Sequence, residues 1–166
     1  MLDILQFRTN IVRPVLQALG AHSRQAEDLL VGTAVQESNL HYLRQLNNGP
    51  ARGLFQMEPN THDDIWTNYF AYQDDFRERV EAFMVPGQDR HDQLAWNLAY
   101  ATSMCRAHYR RVREKLPDPG DIDGLARYWK QYYNTAQGAG TAAEFKDKYV
   151  RLVLPAGDGW AGGVGV

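Results

Sequence analysis

The stretch from residue 90 to 115 constrains the fold more than any other part of the chain. Leu94, Ala95, Leu98, Ala101, Cys105, Tyr109 and Val112 recur at helical spacing. Trp96, Tyr100 and Met104 widen that stripe until the first half of the segment is apolar nearly all round. Such a helix has no face to show to water, so other elements must enclose it. With 166 residues and 44% apolar content, the chain can build one domain with a proper core around it. The second half turns basic, through Arg106, Arg110, Arg111, Arg113 and Lys115, and reads as a solvated helix end complementing the dipole. A net charge of −2 gives no general attraction for polyanions, and nucleic acid is not an expected partner.

The enclosing elements are legible as amphipathic segments. Residues 4–19 predict a first helix with Ile4, Phe7, Ile11 and Val15 on one face, kinked or restarted at Pro14. Ser23 caps a second helix that runs to Glu37, with Glu27 and Asp28 near its positive end. A small β-hairpin or an irregular loop follows. Asn60 or Thr61 caps a third helix, with Asp63 and Asp64 in its first turn. Shorter segments at 75–83, 122–133 and 142–152 complete the set, separated by Pro86-Gly87, by Pro117-Asp118-Pro119-Gly120 and by a loop ending in the cap Thr141. The expected architecture is mainly α, with six to eight helices around a central buried helix, over residues 1–154, and a Gly-rich tail at 155–166. Cys105 stands alone and reads as a small core hydrophobe. No apolar run is long enough to span a bilayer, and residues 1–13 lack the pattern of a signal peptide. His62-Asp63-Asp64 hints at a metal, but the helix start explains the acids and no metal-ligand spacing accompanies them. No metal and no cofactor are expected.

Chemistry concentrates at the end of the second helix. Ala26, Leu30, Ala34 and Glu37 share one stripe, so the Glu37 carboxyl projects from the core-facing side. Partial burial and the negative pole of the helix both disfavour its anion and raise its pKa, as a general acid requires. Asn47-Asn48-Gly49-Pro50 is strong turn chemistry, and Gly53 permits a positive φ or a close approach to a ligand. Gln56 lies among Leu54, Phe55 and Met57, and a buried amide there needs a partner in the protein or in a ligand. Amides suit sugar hydroxyls and acetamido groups because they donate and accept at once. Trp66 and Tyr69 offer faces on which a pyranose could stack, although core packing explains them equally.

The run Glu37-Ser38, then Gly49-Pro-Ala-Arg-Gly53-Leu-Phe-Gln56, then Pro59 and Thr61, resembles the core of soluble lytic transglycosylases and goose-type lysozymes. A second segment, Leu125 to Asn134, is similar to the late Tyr-Asn motif of that family and comes in the right order. The resemblance implies an α+β lysozyme-like fold with a single catalytic glutamate, Glu37. It puts Tyr133 beside that glutamate, with Tyr132 as the alternative, and Ser38, Asn47, Gly53, Phe55, Gln56 and Asn134 along the substrate cleft. It implies cleavage of peptidoglycan glycan strands by transglycosylase chemistry. The alternatives are a muramidase that uses water and a non-catalytic wall-binding or virion protein. Glu58, Asp63 and Asp64 are the candidates for a second carboxylate. Asn39-Leu40-His41 and Thr135-Ala136 depart from the usual family residues, as a divergent branch would. A phage-encoded monomer is expected, carried in the virion or held in the host cytosol, with the cell wall and other virion proteins as partners and no membrane insertion.

Overall fold

Ser23 lies in extended backbone and its hydroxyl accepts from the Ala26 amide, which starts a helix running Arg24–Ser38. Every residue from Ala26 to Val35 in that helix is buried, so the segment that ends in Glu37 runs through the middle of the molecule. The computed structural model describes residues 1–135 and 138–160; the expectations for Ala136 and for 161–166 of the tail lie outside them. Besides a 3₁₀ turn at Leu46–Asn48, eight helical runs follow one another among the described residues: α1 (residues 4–18), α2 (Arg24–Ser38), α3 (residues 59–72), α4 (Asp74–Glu81), α5 (Arg90–Trp96), α6 (Leu98–Arg110), α7 (residues 122–134) and α8 (residues 142–156). None is long and apolar enough to cross a membrane.

The long helix predicted over 90–115 is two helices. Asn97 leaves the helical region at φ −92° and ψ 90°, and its side chain accepts from the Tyr100 amide as the cap of α6. Its amide nitrogen also donates to the Phe83 carbonyl at 2.7 Å. Trp96, placed on the apolar stripe by periodicity, is 49% exposed beside this break. The all-round apolar pattern nevertheless has a clear cause. Ala101, Cys105 and Tyr109 of α6 face a core shared with α1, α2, α7 and α8. Tyr100, Met104 and Ala107 face a second core under α3 and α4. Thus α6 is the wall between two apolar layers, and α2 is the centre of the larger one.

Pro14 does not stop α1. A wide π turn at Arg8–Val12 precedes it, and Pro14 enters the next helical stretch at its start, where no amide hydrogen is needed. Glu27, read from sequence as a dipole partner, is wholly buried. It takes Arg8 at 3.1 Å, Arg13 at 2.7 Å and His22 at 2.9 Å, which fastens α1 to α2. Gly32 lets α8 close on α2, since a Cβ there would stand 2.5 Å from the Phe145 ring. Helix α3 begins at Pro59 with Glu58 before it, not at Asn60 or Thr61. Asp63 and Asp64 therefore lie beyond the first turn and bond side chains instead: His62 and His91 for Asp63, Asn68 and Arg111 for Asp64. Between α2 and α3 the chain makes two isolated antiparallel bridges, Arg44 with Arg52 and Arg52 with Met57, and not a hairpin ladder.

Candidate active site

Helix α2 ends on Asn39 in the left-handed region, φ 51°, with its amide still bonded to the Val35 carbonyl. Leu40 repeats that conformation at φ 52° and is held there by burial. This turn leaves Glu37 in the last helical turn, partly buried, facing a cavity of about 660 Å³. Ser38 does not reach the cavity. Its buried hydroxyl bonds the Ala34 carbonyl at 3.0 Å and the Leu54 carbonyl at 2.7 Å, and so clamps the following loop onto the helix end.

Gly53 and Phe55 also support the loop and do not line the cavity. Gly53 has φ +75°, and a Cβ on it would come within 1.9 Å of the Leu94 carbonyl oxygen, so the glycine serves the close pass of α5. The Phe55 ring is buried against Phe7, at 6.2 Å between centroids. Gln56 does face the cavity. It holds a positive φ of 46°, and its amide donates to the Gly53 carbonyl at 2.9 Å, which leaves the side-chain oxygen as an acceptor. Gln36, Asn39, Gln45 and Asn134 bring further amides to the same walls, with the ring of Tyr42 and the side chain of Leu46 at the rim.

The electrostatics of Glu37 follow from its neighbours. Burial pushes its carboxyl up from the ordinary 4.5 to about 7. A hydrogen bond from Trp129 Nε1 to Oε1, at 2.9 Å, and the more distant charge of Lys148 pull the other way without overcoming it. Among the described residues Glu37 has no ion pair; the Lys148 ammonium donates to the Gln36 carbonyl at 3.0 Å. The carboxyl is therefore half protonated near neutral pH, with Oε1 held by the indole and, among the described residues, no hydrogen bond on the other oxygen. Sequence reading missed Trp129. Its indole is buried and stacked on Phe145 at 5.4 Å, so the direction of its N–H is set by packing. The available signal was chemical: a buried indole N–H needs an acceptor.

The end of α7 supplies the opposite wall. Lys130–Asn134 is a π turn, which widens the helix and brings Tyr133 and Asn134 onto the cavity. The Tyr133 hydroxyl donates to the Phe55 carbonyl at 2.7 Å and not to Glu37, so it braces the loop across the cavity. Its ring meets His108 edge-on at 4.8 Å. Burial pushes His108 down to about 3, and Arg111 donates to its Nδ1, so this ring stays neutral. Asn134 is positioned by a bond from Lys130 at 2.7 Å. Tyr132, the alternative to Tyr133, packs on Tyr128 at 4.7 Å and does not line the cavity.

Besides Ser38, Gly53 and Phe55, two further expected ligand contacts are absent from the cavity walls. Asn47 is exposed in a short 3₁₀ turn, and the neighbours Gln45 and Leu46 line the cavity in its place. Trp66 lies in the other core layer, with its indole N–H on the Tyr100 hydroxyl at 3.0 Å and the Arg90 guanidinium 4.1 Å from its ring centre. Of the three candidate second carboxylates, Glu58 lines the cavity, whereas Asp63 and Asp64 do not. The chain matches no protein-family model, no curated protein and no solved structure.

Proposed function

We propose that this chain cleaves the β-1,4 bond between N-acetylmuramic acid and N-acetylglucosamine in peptidoglycan, with Glu37 as proton donor and then acceptor. One observation carries the reading: a carboxyl raised to about 7 on the wall of an open cavity, with one oxygen bonded by an indole and the other without a partner among the described residues. The amides of Gln56 and Asn134 around it match acetamido and hydroxyl groups of an amino-sugar polymer. The resemblance of Glu37-Ser38, Gly53 to Gln56 and Tyr133-Asn134 to lytic transglycosylases supplies the substrate class.

In the first step Glu37 gives its proton to the glycosidic oxygen as the bond to the muramic C1 breaks, and the glucosamine leaves as a free 4-hydroxyl. The C1 centre becomes electron-poor, and the new carboxylate stabilises it. Glu37 then takes the proton of the muramic 6-hydroxyl while O6 bonds C1. The proton count closes, no water is consumed, and a 1,6-anhydro end results. Glu58 favours a second reading, because a second carboxylate on the same cavity can activate water and give a reducing end. Digestion of purified peptidoglycan with wild type and Glu37→Gln, followed by mass spectrometry of the soluble products, separates the readings. Anhydro ends support transglycosylase chemistry, and reducing ends support hydrolysis. No release by wild type overturns both and leaves a binding protein.

A further inference from the structure

We propose that His62, Asp63 and His91 form a binding site for a divalent transition-metal ion of the zinc type. The local sequence His62-Asp63-Asp64 offers no such set, because Asp64 turns away to Arg111. Folding supplies the third ligand from α5. His91 Nε2 comes to 2.7 Å from Asp63 Oδ1, and His62 Nδ1 lies 2.9 Å from the same oxygen. The three donor atoms all fall within 4.8 Å of one another, and the two imidazole rings meet edge to face at 4.9 Å.

Metal geometry asks for little more. Bonds of about 2.0–2.1 Å at angles between octahedral and tetrahedral hold donor atoms roughly 3.0–3.4 Å apart. Asp63 and His91 are on the surface side, with side chains 58% and 31% exposed, so they can move: the Asp63 contacts open by a few tenths of an ångström, His91 swings toward His62 from a donor separation of up to 4.8 Å, and water fills the remaining positions. His62 is the fixed member. A metal on Nδ1 requires the proton on Nε2, and the Tyr100 hydroxyl oxygen, 2.7 Å from Nε2, is the acceptor this tautomer needs. Trp66 donates to that oxygen from the other side at 3.0 Å, which fixes Tyr100 in turn. Two imidazoles and one carboxylate select copper, nickel, zinc and cobalt over calcium and magnesium. The positive charge of Arg90, stacked on Trp66, keeps the affinity below that of a closed four-ligand site. A bound ion joins α3 to α5, and α3 is the helix whose start presents Glu58 and Thr61 to the cavity.

The test is calorimetric titration of the tag-free full chain with ZnCl2 at pH 7.5, with CoCl2 and its visible absorption as the spectroscopic check. Wild type is expected to bind one equivalent. Asp63→Asn and His91→Ala are each expected to weaken binding at least tenfold, while His41→Ala, at an exposed histidine elsewhere, leaves it unchanged. EDTA is expected to reverse both the cobalt spectrum and any zinc-dependent rise in melting temperature. No saturable binding by wild type overturns the proposal, as does undiminished binding by His91→Ala. His91 is a surface residue, so that variant decides the matter even if Asp63→Asn folds poorly.

Discussion

Glu37→Gln is expected to stabilise the protein at alkaline pH and to leave it unchanged at acid pH. Between pH 4.5 and about 7 the folded chain keeps a proton on Glu37 that the unfolded chain has released. Through Glu37 the native state binds more protons across that window, so the contribution of this group to wild-type stability falls as pH rises through it and levels off above it. At about 1.4 kcal/mol per pH unit the rise from 4.5 to about 7 corresponds to roughly 3 kcal/mol. Contact with water in the cavity reduces this to about 2 kcal/mol. Glutamine keeps the volume and the acceptor for Trp129 Nε1, but it cannot ionise. Every other titrating group is common to the two proteins and cancels in the difference. Melting temperatures followed by circular dichroism should therefore coincide near pH 4.5. They should separate steadily and differ by about 4–8 °C at pH 8, with the variant higher, on the scale expected for a chain of this size. A difference that does not change with pH refutes the reasoning, and so does one that shrinks toward pH 8.

Trp129→Phe keeps the stack on Phe145 but removes the donor that holds the Glu37 pKa down, so the alkaline limb of the pH–activity profile is expected to move to higher pH. Gly53→Ala sets a methyl against the Leu94 carbonyl at a strained φ and is expected to cost more than about 3 kcal/mol in urea unfolding. Glu58→Gln separates the two chemistries: activity stays within about threefold if O6 of the substrate is the nucleophile, and falls by roughly 10²–10⁴ if Glu58 activates water.

Helix starts were legible where a local cap is written into the chain. Ser23 bonds Ala26, and Thr141 forms a reciprocal box with Glu144, both within three residues. The stripe through Leu30, Ala34 and Glu37 was legible for the same reason, since periodicity is a local property, but every residue from Ala26 to Val35 is buried, so the stripe singles out no one face of α2. Asn97 hid inside an apolar run, because a cap in mid-pattern looks like one polar residue on a helix. What periodicity leaves open is the partner. Trp129 meets Glu37 across 92 positions, and His91 meets Asp63 across 28. Nothing near either residue marks those pairings. Ser38, Gly53 and Phe55 were singled out for ligand contact, yet they shape the loop that carries Gln56. A hydroxyl, a glycine and a ring serve packing and binding equally well, and only the fold decides between the two uses. The same holds for Trp66, whose face is taken by Arg90.

The central claim is that the Glu37 carboxyl, protonated near neutral pH, delivers the proton that breaks the glycan bond. Its most direct test is the rate at which wild type and Glu37→Gln solubilise purified peptidoglycan at pH 6, at equal concentrations and with matching circular dichroism spectra. Measurable turnover by wild type is expected, lost by at least a hundredfold in the variant. Equal rates in the two proteins would contradict it.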